Sequence, residues 1–554
     1  MKAHHFLLLF LFLGTNLMAQ TTSLPSVHEE QLNYYNSLGT MTNAQLDKLN
    51  GYTLMPTKHQ QRSNCPLDKI VFGWHPYWVG SAYNNYDWDL LSDLSYFSYE
   101  VDVATGNALS THNWATANVI DVAKANGVRV NLCVTMFSGH ATFFSNPTAQ
   151  QTLISNLISM IQSRGADGVN IDFEGIPSSQ KTKFTDFMID LATQMHAAIP
   201  GSQVSTVLYA VDWNNVFDVA ALAPHVDLFI IMGYDYYWTN SATAGPNDPL
   251  YHYISNSYQY SLSRSITDYM SKGLPANQLV LGLPYYGREW TVAGNTIPSA
   301  TTGSGSARTY KIVRDNNSGT YNNRQWHAPS ETPYYSFNDG TDWRQCFAMD
   351  EESLEKRLEV VLLRGLAGMG IWALGYDDGY NELWNVIESK LTPCRIEACM
   401  DTLYDMGGPD RDYYNKEAYI YTLNPQNGAY PLSLDFTAFD VELNYDYLKL
   451  YDGVDTTAPL IGVYTGTNSP GSLTANSGAV TFWFDSDGAT TAPGWEVIYN
   501  CNLPVNILPD TIILGSSSGT QLNCGNTYHW LYDSGGKDAH YDNNENIEQT
   551  FCNS

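Results

Sequence analysis

The chain has 554 residues, of which 44% are hydrophobic and 13% aromatic, enough to build the cores of two or three domains. It carries 27 Lys plus Arg against 56 Asp plus Glu, a formal net charge of -29. Because like charges repel, nucleic acid and anionic membrane surfaces are disfavoured as partners, whereas a neutral polysaccharide is compatible.

The N-terminus has the pattern of a secretory signal peptide. Lys2 precedes an apolar run over residues 6–13, and the small Ala19 lies near the expected cleavage point. Residues 1–20 are therefore expected to be a signal peptide, and residues 21–65 an N-terminal extension with a helix near 27–38. We find no other apolar run long enough to span a bilayer, so the mature protein is expected to be soluble and secreted, extracellular or at the cell surface.

Short β-rich runs alternate with helical segments between residues 66 and 391. The runs lie at residues 70–74, 94–99, 128–135, 168–174, 204–209, 228–234, 279–285 and 370–374. Residues 151–164 and 178–199, between them, space their apolar side chains as amphipathic helices do. This alternation predicts an α/β fold, a (β/α)8 TIM barrel, in which the chemistry lies at the C-terminal ends of the strands.

The fourth run, Asp-Gly-Val-Asn-Ile-Asp-Phe-Glu at residues 167–174, places polar side chains at alternate positions of an apolar strand. Asn170, Asp172 and Glu174 would share one face. Two carboxyls buried side by side cannot both ionise readily, so one should hold a proton near neutral pH, as a general acid requires. A solvated edge strand would alternate in the same way, but the flanking helices favour a buried parallel strand. The motif predicts glycosidase chemistry.

Aromatic residues at or near the ends of other runs predict a barrel mouth lined with rings. Such rings suit contact with the flat faces of sugars. The candidates for substrate contact are Trp74, Tyr99, Tyr209 and Tyr285.

Over roughly residues 66–391 the chain resembles glycoside hydrolase family 18, the chitinases and related endo-N-acetylglucosaminidases. Four segments carry the resemblance: residues 165–174, Met-Gly-Tyr-Asp at 232–235, Gly-Leu-Pro-Tyr-Tyr-Gly at 282–287, and Gly-Met-Gly-Ile-Trp at 368–372. They occur in order on the fourth, sixth, seventh and eighth strands. The resemblance implies substrate-assisted retaining hydrolysis, in which the 2-acetamido oxygen of the sugar attacks the anomeric carbon.

The resemblance also implies the roles of individual residues. Glu174 would be the general acid and then the base that activates water, and Asp172 would orient the acetamido group and stabilise the oxazolinium intermediate. Tyr234 and Asp235 would complete the clamp on the acetamido group. The expected sugar floor and its neighbour are Trp372 and Met232. No cofactor is expected for catalysis.

Asn170 departs from the family pattern, since most members carry Asp at this position. An amide holds no titratable charge, so Asp172 is expected to titrate more simply than in a carboxylate pair. Asn here also resembles the branch of the family that acts on spore cortex and peptidoglycan. The polymer therefore stays open among chitin, peptidoglycan and N-glycans, with chitin favoured.

Residues 288–343 form a segment rich in Gly, Ser, Thr, Asn and aromatics that is too long for an ordinary connection in such a barrel. It is expected to be a small inserted subdomain that forms one wall of a substrate groove. A disordered surface loop is the alternative. The choice bears on endo versus exo action.

Residues 394–501 lose helical periodicity and show short β-rich runs separated by Gly, Asn, Asp and Ser. They resemble a CUB domain, an all-β sandwich that implies a protein or glycan partner. Some CUB domains hold calcium, and the matching oxygen ligands here are Glu442, Asp446 and Asp487. Solvated acidic loops are the alternative to a calcium site.

Residues 502–554 are expected to be a partial second CUB-like repeat, because the pattern of residues 404–413 recurs at 532–541. The chain would then be a fragment of a longer protein, or its last unit degenerate. Export is compatible with disulfides among five cysteines, with Cys524 to Cys552 the favoured pair. These five are Cys394, Cys399, Cys501, Cys524 and Cys552. Cys133, inside an apolar run, is expected to be a buried free thiol.

Two functional hypotheses follow from these patterns. The first is a secreted glycosidase that cleaves β-1,4 bonds next to N-acetylglucosamine in a polysaccharide. The second is a lectin-like protein on the same barrel, which binds such glycans without cleaving them. Glu174 favours the enzyme, because a binding protein has no need of a general acid.

Overall fold

The structure is a computed structural model that describes residues 25–52, 66–253, 259–392, 399–409 and 411–502, with the backbone of 510–513 and 529–532. The chain divides into two compact units, Met1–Met41 and Thr42–Ser554. In the first, helix α1 (Val27–Ser37) begins where the Ser26 side chain accepts a hydrogen bond from the backbone N–H of Glu29. The predicted signal peptide lies outside the described residues.

The second unit begins with the strands and helices of the barrel. Its first fourteen strands are β1 (Ile70–Pro76), β2 (Asp93–Val101), β3 (Ala108–Ser110), β4 (Arg129–Met136), β5 (Gly168–Phe173), β6 (Gln203–Leu208), β7 (Leu228–Met232), β8 (Leu279–Pro284), β9 (Tyr286–Val292), β10 (Ser306–Thr309), β11 (Arg324–His327), β12 (Thr332–Asn338), β13 (Trp343–Phe347) and β14 (Gly368–Trp372). Its helices are α2 (Asn43–Asn50), α3 (Asn118–Ala125), α4 (His140–Phe144), α5 (Pro147–Arg164), α6 (Lys181–Ala198), α7 (Val219–Leu222), α8 (Leu262–Ser271), α9 (Tyr310–Asp315), α10 (Glu351–Leu363) and α11 (Glu382–Leu391).

Eight parallel strands close into a barrel. They follow the order β1-β14-β8-β7-β6-β5-β4-β2, and β2 pairs back with β1. The predicted (β/α)8 barrel is confirmed, and each of its strands overlaps one of the predicted runs. Strands β5 and β14 lie on opposite sides of the barrel, because three strands separate them in either direction.

The two long helices that flank β5 show why the sequence pattern worked. Helix α5 starts at Asn146, whose side chain accepts from the backbone N–H of Ala149, and ends at Gly165 with φ 55°. Its buried side chains recur three and four residues apart, as do those of α6. Both helices therefore cover the barrel with one apolar face.

The segment after β8 forms a small subdomain instead of a disordered loop. Its five antiparallel strands follow the order β10-β9-β13-β12-β11, and helix α9 packs beside them. A separate apolar cluster forms its core, made of Val313, Tyr321, Tyr335, Cys346 and Ala348. This cluster explains how an insertion poor in helical pattern can fold.

The C-terminal sandwich has two antiparallel sheets of four strands. Its strands are β15 (Met400–Tyr404), β16 (Ala418–Leu423), β17 (Leu432–Asp440), β18 (Tyr447–Asp452), β19 (Leu460–Tyr464), β20 (Ser472–Ala475), β21 (Val480–Asp485) and β22 (Gly494–Cys501). One sheet has the order β15-β22-β17-β20 and the other β16-β21-β18-β19. Phe482 and Trp495 stack between them, with ring centroids 5.7 Å apart. The all-β prediction is confirmed.

The cysteines agree with the sequence analysis where the structure describes them. Cys399 and Cys501 form a disulfide that joins the start of the sandwich to its last strand. Cys133 is buried and free, as is Cys346. Cys524 and Cys552 lie outside the described residues, as does the proposed repeat from residue 533 to 541. Beyond the sandwich, the backbones of β23 (Asp510–Ile513) and β24 (His529–Tyr532) pair in parallel.

The sandwich packs against the barrel through buried polar contacts. Arg364 Nη1 lies 3.9 Å from Glu417 Oε1, and both side chains are almost fully buried. The hydroxyls of Tyr414 and Ser263 lie 3.1 Å apart. Because these groups have lost their water, the two domains are held in a specific orientation. Within the described part of the chain, no helix combines the length and the apolar content that a membrane crossing needs.

Candidate active site

Strand β5 lies in the barrel wall between β4 and β6 and carries the predicted catalytic motif. Asn170 and Asp172 are completely buried, and Glu174, one residue beyond the strand, is 7% exposed. A carboxylate oxygen of Asp172 lies within 4.8 Å of one of Glu174. Phe173 packs outward, stacked on Phe187 with centroids 5.9 Å apart. The alternation of the motif therefore separates a polar interior from an apolar exterior, as predicted.

A hydrogen-bond network fixes the amide of Asn170. Its Oδ1 accepts from Trp74 Nε1 at 2.8 Å, and its Nδ2 donates to Ser205 Oγ at 3.0 Å. The Cys133 thiol also lies against Oδ1, with Sγ 3.6 Å away. Burial and the charges of Asp172 and Glu174 raise the pKa of Cys133, so it remains a neutral donor. Strands β1, β4 and β6 thus hold one side chain of β5.

Tyr234 and Asp235 follow strand β7. Asp235 has φ 57°, and its backbone N–H donates to Asn247 Oδ1 at 2.8 Å, which holds this turn in place. Arg288 donates two hydrogen bonds to the Asp235 carboxylate, from Nε to Oδ1 at 2.9 Å and from Nη2 to Oδ2 at 3.0 Å. The hydroxyl of Tyr286 donates to Oδ1 at 2.9 Å. The position of Asp235 is therefore tightly determined.

Tyr234 is a buried phenol close to both motif carboxyls. Burial, followed by the charges of Tyr286, Asp172 and Glu174, raises its pKa well above the ordinary value. The phenol therefore keeps its proton at neutral pH and can donate a hydrogen bond. Met232, two residues earlier, is also buried and pairs with Gly282 across to β8.

Trp372, at the end of β14, lies among other aromatic rings. Its centroid is 5.0 Å from that of Phe97, 6.0 Å from Trp74 and 6.4 Å from Trp78, all edge to face. Such packing fixes the indole plane without stacking over it. Since β14 is opposite β5, Trp372 and Glu174 stand on opposite sides of the barrel mouth.

The structure separates the four aromatic candidates for substrate contact. Trp74 is buried beneath the site and contacts Asn170, so it supports the motif. The Tyr209 hydroxyl donates to Phe173 O and accepts from Ile176 N, both at 3.1 Å, and so brackets the turn that carries Glu174.

Tyr99 and Tyr285 are not brought to the interior. The Tyr99 hydroxyl donates to Gly106 O at 2.8 Å and accepts from Asn156 of helix α5, on the outer side of the barrel. Tyr285 is buried, and the charge of Asp377 contributes to its raised pKa. The pairing of β2 with β4 shifts between Tyr96 and Tyr99, so Tyr99 does not share the inward face of Phe97, whose ring contacts Trp372. Tyr285 comes one position after Pro284, which pairs with Trp372, and strand alternation turns it outward. We therefore leave both out of the site.

Several residues that hold the site were missed by the sequence analysis. Tyr286 lies inside the Gly-Leu-Pro-Tyr-Tyr-Gly segment and Arg288 directly follows it, so their place after a barrel strand was a usable signal. Asn247 and Ser205 had no local signal, because only barrel closure brings them to their partners. Cys133 had been assigned to the core and not to the site.

The acidic candidates of the sandwich do come together. Glu442, Asp446 and Asp487 place ligand atoms within 4.8 Å of one another. The backbone N–H of Asp487 donates to Asp446 Oδ1 at 2.8 Å. Among the described residues, the buried Oε2 of Glu442 has no hydrogen-bond partner. A hard cation such as calcium fits this set of oxygens.

A family model described as glycosyl hydrolases family 18 matches residues 25–377. The chain belongs to glycoside hydrolase family 18. The family model begins to match this family 18 chain at residue 25, inside the segment 21–65 that we predicted to be an N-terminal extension. A CUB domain follows at residues 396–499.

The relatives of this family 18 protein include chitinases. Mouse chitotriosidase-1 is 27% identical over 252 residues, covering 41% of this chain and 53% of that protein. A Caenorhabditis elegans protein named "Probable endochitinase" is 25% identical over 266 residues, with 44% and 42% covered. The chain thus spans about half the length of these relatives.

Solved structures of the family share the fold. The Ostrinia furnacalis group IV chitinase, in complex with allosamidin, aligns with a TM-score of 0.52 at 21% identity over 58% of this chain and 98% of that one. Human YKL-39, described as a pseudo-chitinase that retains chitooligosaccharide binding, aligns with a TM-score of 0.52 at 17% identity, with the same coverage. At these identities the likeness shows the fold alone.

Proposed function

We propose that this protein is a secreted glycoside hydrolase that cleaves β-1,4 bonds next to N-acetylglucosamine, with chitin as the preferred polymer. The observation that carries the proposal is the juxtaposition of Glu174, Asp172 and Tyr234 inside the barrel. A site that only bound sugar would gain nothing from burying two carboxyls, because burial disfavours their charged forms. The chitinase names of the relatives support the choice of polymer.

In the first step the Glu174 carboxyl donates its proton to the glycosidic oxygen. The carbonyl oxygen of the 2-acetamido group attacks the anomeric carbon as the bond to the leaving sugar breaks, which yields a cyclic oxazolinium ion. Asp172 would stabilise the positive charge of that ion, and the Tyr234 phenol would orient the acetamido group. The clamped Asp235 would complete this contact, and Trp372 would lie under the sugar with Met232 beside it.

In the second step the Glu174 carboxylate takes a proton from water. The water oxygen, as it loses this proton, attacks the anomeric carbon from the side that the leaving sugar vacated. The oxazolinium ring then opens, and the anomeric carbon keeps its original configuration. Glu174 regains its proton and the acetamido group is restored. Every group that moves a proton belongs to the substrate, water or this chain, so we propose that catalysis needs no cofactor.

Product analysis with the full chain and its Glu174→Gln variant tests this proposal. The substrates are chitin oligosaccharides, peptidoglycan and a high-mannose glycopeptide. We expect the wild-type protein to cleave the chitin oligosaccharides with retention, and the variant to bind them without cleavage. Equal cleavage by both proteins would remove Glu174 as the acid, while binding without cleavage by either would make the protein lectin-like.

The CUB domain is proposed to bind calcium through Glu442, Asp446 and Asp487, and to contact a protein or glycan partner outside the cell. The Glu442 oxygen without a hydrogen-bond partner among the described residues supports the calcium site. The disulfide Cys399–Cys501 supports an extracellular location, because such bonds persist in oxidising compartments.

A further inference from the structure

One sheet of the C-terminal sandwich turns an apolar row of side chains toward solvent. Its strands pair in the order β16-β21-β18-β19, and their side chains alternate between the core and the outside. The inward set is buried: Tyr419, Leu448, Leu450, Phe482 and Phe484. The outward set includes a row that crosses all four strands in register, in the order Ile420, Trp483, Lys449 and Val463. We call the outward side of this sheet the apolar face.

The aliphatic members of the apolar face are well exposed. Ile420 is 52% exposed and Val463 45%, and Leu460 on β19 is 54% exposed. Trp483 is half-buried, and Lys449 Nζ lies 3.8 Å from the centroid of its ring, a contact that fixes the indole on the sheet. The apolar face therefore leaves hydrocarbon surface in water that a ligand can cover with a gain in free energy.

The other sheet of the same sandwich has the ordinary pattern of a solvated face. Its outward side chains on β17, β20 and β22 are mostly polar, among them Ser433, Asp435, Ser472, Thr474, Glu496 and Asn500. Ile498, 40% exposed, stands alone between such neighbours, since it pairs with Asp435. An antiparallel sheet with one side in water usually carries polar side chains there. The departure from that rule belongs to one face and not to the domain as a whole.

The apolar face also differs from the rest of the domain in charge. Between residues 396 and 499 the chain has 15 Asp plus Glu against 3 Lys plus Arg. The outward positions of the four strands hold one residue of each sign, Lys449 and Asp485, so their charges cancel. An anionic partner would be repelled by the surrounding domain, and a cationic partner would be drawn to its acidic loops instead. A neutral ligand with apolar surface fits this face, because it buries no unpaired charge.

The size of the apolar face decides between a protein and a polymer as its ligand. Strands in a sheet lie about 4.8 Å apart and rise about 3.4 Å per residue, so the face extends about 14 Å in each direction. That is about 200 Å² in plan, far below the about 800 Å² that each partner buries in a standard protein–protein interface. A second copy of this chain would therefore be held weakly. A polysaccharide needs no single large contact, because one polymer can be held at several separate sites.

We propose that the apolar face binds the neutral polysaccharide on which the barrel acts, and so holds the enzyme on insoluble chitin. This rests on the proposed function and names the partner of the CUB domain. Two sites of one chain that bind the same polymer raise the effective concentration of the polymer at each site. Anchoring therefore increases the cleavage of particles and leaves the chemistry unchanged. A short soluble oligosaccharide reaches the active site by diffusion and gains nothing from the anchor.

Adsorption to chitin particles tests the proposal, with full-length Glu174→Gln as the parent so that the particles stay intact. Adding Trp483→Ala, which removes the indole, should weaken adsorption about tenfold. Val463→Asp keeps the indole and places a charge against the polymer, and should weaken adsorption as much. The matched control Ile498→Asp puts the same charge on the polar sheet and should adsorb as the parent does. Thermal unfolding of each variant checks that it is folded.

The same changes in the wild-type background measure the effect on cleavage. Val463→Asp should lower the rate on chitin particles about tenfold, while kcat/KM on chitohexaose should change less than about twofold. Equal losses on both substrates would overturn the anchor, because they would place the defect in the barrel.

The remaining outcomes separate this proposal from the proposed hydrolysis. Unchanged adsorption of Val463→Asp, or an equal loss in Ile498→Asp, would overturn the anchor and leave the hydrolase intact. If sedimentation shows that Val463→Asp dissociates a dimer while it adsorbs like the parent, the face joins two copies and the proposal is wrong. If the wild-type protein cleaves neither substrate, the hydrolysis fails, and adsorption still decides whether the apolar face binds chitin.

Discussion

Trp74 Nε1 donates a 2.8 Å hydrogen bond to Asn170 Oδ1, across 96 residues of sequence. The other end of the same amide is also bound, because Asn170 Nδ2 donates a hydrogen bond to Ser205 Oγ on β6. The indole can only donate, so it fixes which end of the amide faces β1. The network fits an uncharged residue at position 170. Asn170 and Asp172 are neighbours on the inward face of β5.

The first prediction concerns Asn170→Asp. A carboxylate at this position can still accept from Trp74, but it adds a second titratable group beside Asp172. Two interacting carboxyls lose their protons in separate steps, so the pH dependence of kcat should gain an ionisation that the wild-type profile lacks. The control is Ser205→Ala, which should lower kcat without adding an ionisation. Identical profiles for wild type and Asn170→Asp would show that position 170 is not coupled to catalysis.

The second prediction concerns the paired hydrogen bonds from Arg288 to the Asp235 carboxylate. Lysine keeps the positive charge but has no planar fork, so Arg288→Lys loses the paired hydrogen bonds. We expect kcat to fall about tenfold or more, since one misplaced side chain at a reacting centre costs about that much. Tyr286→Phe, which removes only one hydrogen bond to the same carboxylate, should lose less. A larger loss in Tyr286→Phe would contradict this ranking.

The third prediction is acid destabilisation by buried histidines. Burial lowers the pKa of His75 from 6.5 to about 3 and that of His140 to about 4. The unfolded chain then binds more protons than the folded one below pH 6.5. The contribution of the neutral, buried imidazoles to the free energy of unfolding is complete above pH 6.5 and is lost as the pH falls. The loss is about 2 kcal/mol for each histidine at about pH 5.

Denaturant unfolding at about pH 7 and about pH 5 measures the effect. Buried acids act in the opposite direction, so the comparison must use a variant. His75→Gln, which removes one imidazole, should show a smaller loss on acidification than the wild-type protein. An unchanged loss would mean that His75 binds its proton equally well in the folded and the unfolded chain, so that burial does not lower its pKa.

The fourth prediction concerns the buried acid at the domain junction. Burial raises the pKa of Glu417 from 4.5 to about 7, against the lowering effect of Arg364. As the pH rises, Glu417 ionises at a lower pH in the unfolded chain than in the folded one. Its contribution to the free energy of unfolding is therefore complete below pH 4.5 and is lost as the pH rises through about 7. Between about pH 6 and pH 8 the wild-type protein should lose about 1 kcal/mol that Glu417→Gln does not lose. Parallel curves for the two proteins would contradict the assignment.

The fifth prediction concerns calcium. If Glu442, Asp446 and Asp487 hold the ion, calcium should raise the Tm of the CUB domain within the full chain, and a chelator should lower it. Asp487→Asn should abolish the response. Asp485→Asn, a matched change at an exposed acid on the same stretch, should preserve it. A response that survives Asp487→Asn would exclude this set of ligands.

Much of the fold could be predicted because local periodicity reports burial. The alternation in residues 167–174 identified the inward face of β5, and the helical spacing in α5 and α6 identified the layer around it. Tyr99 and Tyr285 show the limit of such reasoning. Their positions near strand ends were correct, but a single residue of register decides whether a ring points into the barrel or out of it.

The sequence by itself determined the chemistry that is available, namely the carboxyls, the phenol and the indoles, and the order of strands that carry them. Only the tertiary structure decided their partners. Asp235 and Arg288 are 53 residues apart, and Trp74 and Asn170 lie on strands that no local pattern connects. Such pairs form when barrel closure brings distant strands together, and buried polar groups must find hydrogen bonds there because water is absent.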